Sequence, residues 1–353
     1  MNWPSQRFLD RLGAAVPIVA APMAGAAGVA LAVAAIRGGA VGSLPCAMLT
    51  PEQVRAQVAE VRAAASGPLN LNFFCHTLPE PAPDERAWRA LLAPYYAEEG
   101  VEPGPPPALR RPFDAAMAEA VAEVRPAIVS FHFGLPEPTL LARVRGAGSK
   151  VFGNATTRAE MHWLAAQGVD AVIAQGAEAG GHSGWFLGER HVPVSLAELL
   201  AQPMDVPVIA AGGIVDGAGI AAALRAGAAM AQLGTAYLAT PESRIPAPFR
   251  ALIGAEGSRD TAFTNLFSGR EARGIRNRLM RELGPVNAAV PAFPHGSTAL
   301  APLRAKAEAD GRGDYSPLWA GTRAAEARVM PAEQLTRTLA AEARAALGDT
   351  DHG

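Results

Sequence analysis

Cysteine is almost missing from this chain, with Cys46 and Cys75 the two thiols among 353 residues. Two thiols build neither a disulfide framework for a chain of this size nor a zinc site, so no metal is expected and a reducing cytoplasm fits. An excess of charge is lacking as well. The 31 basic and 33 acidic residues are interspersed and leave a net charge of -2, which offers no electrostatic footprint for nucleic acid or an anionic membrane. Long apolar runs are absent too: the most apolar window, residues 16–36, is broken by Pro17, Pro22 and glycines. Such a window reads as strand, turn and helix, not as a span of the bilayer. The opening MNWPSQRFLDRLG has no apolar core of the kind a secretory signal needs. Lysine occurs twice, at Lys150 and Lys306, amid abundant arginine and alanine.

What is present is apolar: half of the residues are hydrophobic and 18% are charged, enough to bury a large core. Short runs rich in valine, isoleucine and alanine alternate with longer alanine- and leucine-rich stretches, the rhythm of βα units around a parallel sheet. Eight strands are expected, at 17–21, 40–44, 69–73, 127–131, 150–153, 171–174, 207–211 and 229–233. Most lack polar alternation, as strands buried on both faces should. Helices are expected from near Gly28, Pro51, Asp114, Pro138, Thr157, Ser195 and Asp216, with Thr50 and Thr156 as N-caps.

Eight units in series make a closed barrel over residues 1–240. Residues 76–112, with PEPAPDE and EPGPPP, read as a long proline-rich insertion, either a surface excursion or a lid. Residues 241–353 read as a C-terminal, mostly helical extension covering the site, in which the arginines from Arg270 to Arg281 have helical spacing and the look of a solvated face.

In a parallel α/β barrel the loops after the strands form the active face. After the first strand, APMAG places Met23 where a thioether can lie against a flat ring. After the third, NLNFFCH brings Asn72, Cys75 and His76 to the rim, and His132 ends the fourth strand in SFHFGLP. Cys75 is a packed thiol on this reading, since no cationic partner is identifiable. The sixth strand ends in AQGAEAGGHSG, where Gln175 offers an amide, Gly180 and Gly181 admit close backbone approach, and His182 supplies a titratable ring. Gly212, Gly213 and Gly217 then surround a helix start, with Gly234 and Thr235 closing the eighth strand. Phosphate is commonly held at these two loops. The glycine spacing is not that of a dinucleotide fingerprint.

Taken in order, APMAG, NLNFFCH, SFHFGLP, AQGAEAGGHSG, AAGGI with QLGTAYL, and the late YSPLWAG resemble the nitronate monooxygenase family, formerly the 2-nitropropane dioxygenases, in its bacterial class I branch. The resemblance covers nearly the whole chain. It implies an FMN enzyme on a TIM (β/α)8 barrel, with FMN contacts from Met23, Asn72, Gln175, Gly180, Gly213, Gly217, Gln232, Gly234 and Thr235. His182 matches the family's active-site histidine, and His132, His76, Tyr315 and Trp319 are further candidates for the substrate pocket. Ser183 departs from the family's GGHRG form, where arginine often stands.

The implied reaction is oxidation of an alkyl nitronate by dioxygen to a carbonyl compound and nitrite, with propionate 3-nitronate the leading candidate substrate. A protonated His182 would hydrogen-bond the nitronate, and a neutral one would take the α-proton of a nitroalkane. Two alternatives stand beside this reading. One is an NAD(P)H-dependent flavin reductase of the quinone reductase or enoyl-acyl-carrier-protein reductase type on the same barrel, and the other a barrel that binds flavin or phosphate without catalysis.

Overall fold

A computed structural model of the chain describes residues 2–104 and 109–348. The apolar runs become eight parallel strands: β1 (Ile18–Ala20), β2 (Gly42–Pro45), β3 (Leu69–Phe74), β4 (Ile128–His132), β5 (Lys150–Ala155), β6 (Ala171–Gln175), β8 (Val208–Ala211) and β9 (Met230–Leu233). Each overlaps an expected strand. A ninth element, β7 (Gly181–His182), follows β6 but pairs outside the barrel, with β11 (Ala272–Ile275), itself antiparallel to β10 (Thr261–Thr264). The barrel sheet runs β1-β9-β8-β6-β5-β4-β3-β2. It closes through a parallel bridge between Val19 and Val41, where the Val41 N–H donates to Ile18 O at 3.0 Å and the Ala20 N–H to Val41 O at 2.9 Å. The chain is thus a TIM (β/α)8 barrel with a C-terminal extension.

The strands are buried along nearly their whole length, which explains their unalternating sequences. Polar residues inside the barrel pair across neighbouring strands: Asn70 Nδ2 donates to Ser43 Oγ at 3.1 Å, and Asn72 Nδ2 to Ser130 Oγ at 2.9 Å. These bonds offset the cost of burying the two NH2 groups, while Asn70 Oδ1 is buried without a partner.

Side-chain caps start the helices around the barrel. Thr50 accepts from the Gln53 N–H and Gln53 returns the bond, a reciprocal box worth about 1 kcal/mol per capping side chain. Asp114, Ser195 and Asp216 cap in the same sense. At the helix Arg158–Ala166 the cap is Thr157 and not the expected Thr156. Thr156 lies one residue too early to reach the third helical N–H, and its own N–H and hydroxyl both donate to Glu160 Oε2.

The proline-rich insertion is not a plain loop. Residues 105–108 of it lie outside the described residues, but Arg86–Glu99 forms a helix with Pro94 inside it. Trp88, Leu92, Tyr95 and Tyr96 fall on one face and pack with Leu266, Phe267, Leu279, Leu303 and Tyr315 of the extension. The insertion and the extension therefore share a second core. The helix expected over Arg270–Arg281 is a strand for its first half, because β11 completes the ladder with β7, and only Arg278–Glu282 is helical. The terminal helix Ala332–Gly348 lies along the helices Gly217–Arg225 and Val29–Arg37 and buries Leu335, Leu339 and Ala343. Among the described residues no helix is long and apolar enough to cross a membrane.

Candidate active site

His182 is reached from two sides. From the barrel, Gln175 at the end of β6 accepts from Asn154 Nδ2 at 2.9 Å and from the Gly184 N–H at 3.0 Å, while its own Nε2 donates to His182 O at 2.8 Å. From the extension, β11 sets Ala272 opposite His182, and the Ser183 N–H donates to Glu271 O at 2.9 Å. One amide and one ladder thus set the backbone that carries the imidazole. The carboxylate of the fully buried Glu160 secures the next turn, accepting from the Phe186 N–H at 2.6 Å and the Leu187 N–H at 3.0 Å.

The imidazole sits among aromatic rings. Its centroid lies 5.5 Å from both Phe293 and Trp319, 6.1 Å from Phe133 and 6.2 Å from Phe74. The same phenylalanines hold two more histidines, His132 being 5.3 Å from Phe74 and His76 4.8 Å from Phe293. Phe133 takes a left-handed φ of 68°, an uncommon state for a bulky residue of the kind that collects at functional sites. His182 Nε2 lies 2.9 Å from Ser268 Oγ.

This pocket favours neutral histidines and holds unpaired cations. Burial, reinforced by the nearby Arg270 charge, lowers His132 to about 3. Burial likewise lowers His76 to about 4, and it holds His182 well below the ordinary imidazole range, with Arg110, His132, Arg270 and His76 adding to the effect. Arg270 is pushed down to about 10 by burial. Its guanidinium lies 4.1 Å over the Phe133 ring and 4.4 Å over Trp185, and it donates to Trp185 O. Neither Arg110 nor Arg270 has an ion-pair partner among the described residues, and Arg110 Nε, Arg270 Nε and His76 Nδ1 are buried without any hydrogen bond. Beside Arg270 and His76 opens a cavity of about 400 Å³ whose lining also includes Trp185, Glu271, Ala292 and Phe293.

The expected cofactor residues gather at an adjoining part of the rim. An added Cβ on Gly234 would touch Met23 Sδ at 3.5 Å, and Thr235 Oγ1 accepts from the Gly321 N–H at 2.9 Å. Gly180 packs so closely on the tail that a Cβ there would sit 2.5 Å from the Gly321 nitrogen. Gly213, at φ 66° after β8, lies near Glu178 and Thr322. Gln232, at the inner end of β9, keeps a buried Oε1 with no partner, an acceptor that a flavin N–H would satisfy. Small residues, an unpartnered amide and the Met23 thioether suit a flat ring and a phosphate.

Three placements differ from the sequence reading. Gly217 is not at the cradle: its N–H donates to Glu342 Oε2 at 3.1 Å, and a Cβ would run into Glu342 and Ala343 of the terminal helix. Tyr315 is fully buried in the second core, where its hydroxyl donates to Glu99 at 3.0 Å and its ring lies 5.8 Å from Tyr95. It anchors the tail, and Trp319, four residues on, reaches His182. Asn72 is committed to Ser130 inside the barrel. The sequence reading missed Arg110, Ser268 and Phe293 as site residues, and it took Arg270 for part of a solvated helix.

Comparison with known proteins gives the following. The sequence profile described as nitronate monooxygenase matches residues 6–342. The nitronate monooxygenase of Pseudomonas aeruginosa is 40% identical over 96% of this chain and 99% of its own. Among solved structures, the nitroalkane oxidase of Streptomyces ansochromogenes superposes with a TM-score of 0.88 at 37% identity, covering 97% of this chain and 99% of that one. FabK from Thermotoga maritima shares the fold, with a TM-score of 0.71 at 24% identity over 98% of both chains.

Proposed function

The chain belongs to the nitronate monooxygenase family, and from that premise we propose that it is an FMN enzyme that oxidises propionate 3-nitronate with dioxygen, giving nitrite and a carbonyl compound. Nitronate oxidation follows from membership and from the 40% identity to a nitronate monooxygenase. The cofactor, the oxidant and the choice of nitronate are our reading.

The observation that carries it is the pair of partly buried arginines, Arg110 and Arg270, whose charges act on His182. Each has a buried and unbonded Nε and no ion pair among the described residues, and Arg270 is offset only from a distance by Glu271 and Glu160. An unpaired buried cation is costly and is relieved by an anion. A nitronate is an anion, and one bearing a carboxylate carries two negative charges for two arginines. Gln232, Gly213, Gly234, Thr235 and Met23 would hold the FMN, which when bound supplies the electron acceptor and the route to oxygen. The protein residues position and exclude. Phe74, Phe133, Phe293 and Trp319 surround the His182 ring with apolar surface, and such low-dielectric surroundings strengthen charge interactions. His182, held neutral by its surroundings, has a ring lone pair to offer the α-proton of a nitroalkane and no imidazolium charge to offer a nitronate.

We place this activity in the cytoplasm, in keeping with two free thiols: Cys46 is buried and pushed up to about 12, and Cys75 is raised further, each by desolvation. The test is to record the absorbance spectrum of the purified protein, identify the released chromophore, add propionate 3-nitronate in air and assay nitrite. A yellow protein that releases FMN and forms nitrite supports the reading. A colourless protein that refuses FMN, or a flavin that bleaches rapidly with NADPH without oxygen and forms no nitrite, overturns it.

A further inference from the structure

The Ser268 hydroxyl has one hydrogen and two neighbours that compete for it. It lies 3.0 Å from the Arg270 carbonyl, in donor geometry, and 2.9 Å from His182 Nε2. No other donor reaches Arg270 O among the described residues, and Ser268 is 1% exposed. Arg270 is partly buried, and a carbonyl shielded from water and left without a donor costs about 1–3 kcal/mol. The hydrogen therefore goes to Arg270 O, and the oxygen faces His182 as an acceptor. Nε2 must then carry the imidazole proton, because two facing lone pairs make no hydrogen bond. Nδ1 is left with its lone pair and makes no hydrogen bond in the protein.

We propose that Ser268 is a positioning residue that fixes the Nε2–H tautomer of His182, so that Nδ1 is the atom that takes the α-proton when a neutral nitroalkane enters the site. In that step the substrate C–H bond breaks and an Nδ1–H bond forms. The electron pair stays on the substrate, delocalised onto the nitro oxygens as a nitronate, and the imidazole becomes imidazolium. Burial and the Arg110 and Arg270 charges oppose that positive charge, so the proton is passed on readily. Ser268 lies at the turn between β10 and β11, and the ladder that seats His182 also delivers the hydroxyl. The carboxylate that commonly orients a catalytic histidine is replaced here by a neutral hydroxyl bonded to the main chain. An orienting carboxylate would raise the imidazole pKa, and a neutral group does not.

The catalytic consequence rests on the function proposed above, and the tautomer does not. The holoenzyme, labelled with 15N in its histidines, is examined at neutral pH by two-bond proton–nitrogen correlation, with the His182 signals assigned by their loss in His182→Asn. The expected pattern is a protonated Nε2 and an unprotonated Nδ1. In Ser268→Ala the signals shift towards a mixture of tautomers, and in Ser268→Thr, which keeps the hydroxyl, the original pattern returns. The ratio of nitroalkane to nitronate turnover falls at least about tenfold in Ser268→Ala, a part of what a positioned general base contributes, and recovers in Ser268→Thr. A protonated Nδ1 in the unmutated enzyme overturns the proposal, as does an unchanged ratio in a folded Ser268→Ala. Absence of nitrite with every substrate, alongside the expected tautomer, sinks the proposed function and leaves the assignment of the proton standing.

Discussion

Replacing Arg270 by methionine tests the electrostatics of the pocket. The guanidinium stacks on Phe133 and Trp185, donates to Trp185 O, and has a buried Nε without a partner. Methionine keeps much of the apolar stem and a polarisable atom against the rings, so the change removes charge more than shape. A hydrogen bond to a charged group contributes about 1.5–3 kcal/mol, so kcat/KM for propionate 3-nitronate should fall roughly 10- to 150-fold. The nitronate of 1-nitropropane has the same chain length without the carboxylate, and its kcat/KM should fall several-fold less. Lysine in place of arginine should not restore the difference, because an ammonium cannot offer the planar fork. The melting temperature of the substrate-free variant should hold or rise, since an unpaired buried cation has been removed. Initial rates of nitrite formation with the two nitronates decide the matter. Equal losses for both, or a marked loss of stability, would refute the reasoning.

Three other perturbations have defined outcomes. His76 and His132 have folded values near 4 and 3 against about 6.5 unfolded, so the unfolded chain binds more protons below pH about 6.5. Stability from this source is complete above that pH and is lost as pH falls towards the folded values, at up to about 1.4 kcal/mol per unit for each histidine. Melting temperatures from pH about 6.5 down to 4 should decline more steeply in the unmutated protein than in His132→Asn, and parallel curves would contradict the assignment. Gly217→Val forces a side chain against Glu342 and Ala343 and should cost about 1–3 kcal/mol, read by thermal melting, with flavin affinity little changed. Glu160→Gln places an amide NH2 among the N–H donors of Thr156, Thr157, Phe186 and Leu187. Loss of about 3 kcal/mol of stability and a raised KM are expected, and an unaltered melting curve would count against the role given to this carboxylate.

The barrel was legible because strands such as Ala171–Gln175 and Val208–Ala211 are buried on both faces and flanked by turn residues, a pattern local in sequence. The position of His182 and of the residues around Gly234 at the rim was legible for a similar reason, since each follows a barrel strand. Ser268 and Arg270 were not. They come from a turn some 86 residues past His182, and nothing in GREARGIR distinguishes an arginine held over Phe133 from one in water. The helix Arg86–Glu99 was masked by the prolines around it, although Trp88, Leu92, Tyr95 and Tyr96 already trace one face. Tyr315 and Trp319 share a motif, but Tyr315 lies inside the second core while Trp319 sits at that core's edge and reaches His182. Spacing along the chain could not separate them, because the direction of each depends on the Glu99 carboxylate and on the ladder at Gly274.

The two-residue strand β7 joins the barrel rim to the ladder formed by the last third of the chain. A fragment ending after β9 would retain all eight staves of the cylinder yet lose Ser268, Arg270 and Trp319 together with the register of His182. The reacting centre is therefore shared property, and any change that slides β10 and β11 along the rim retunes the imidazole without touching a barrel residue.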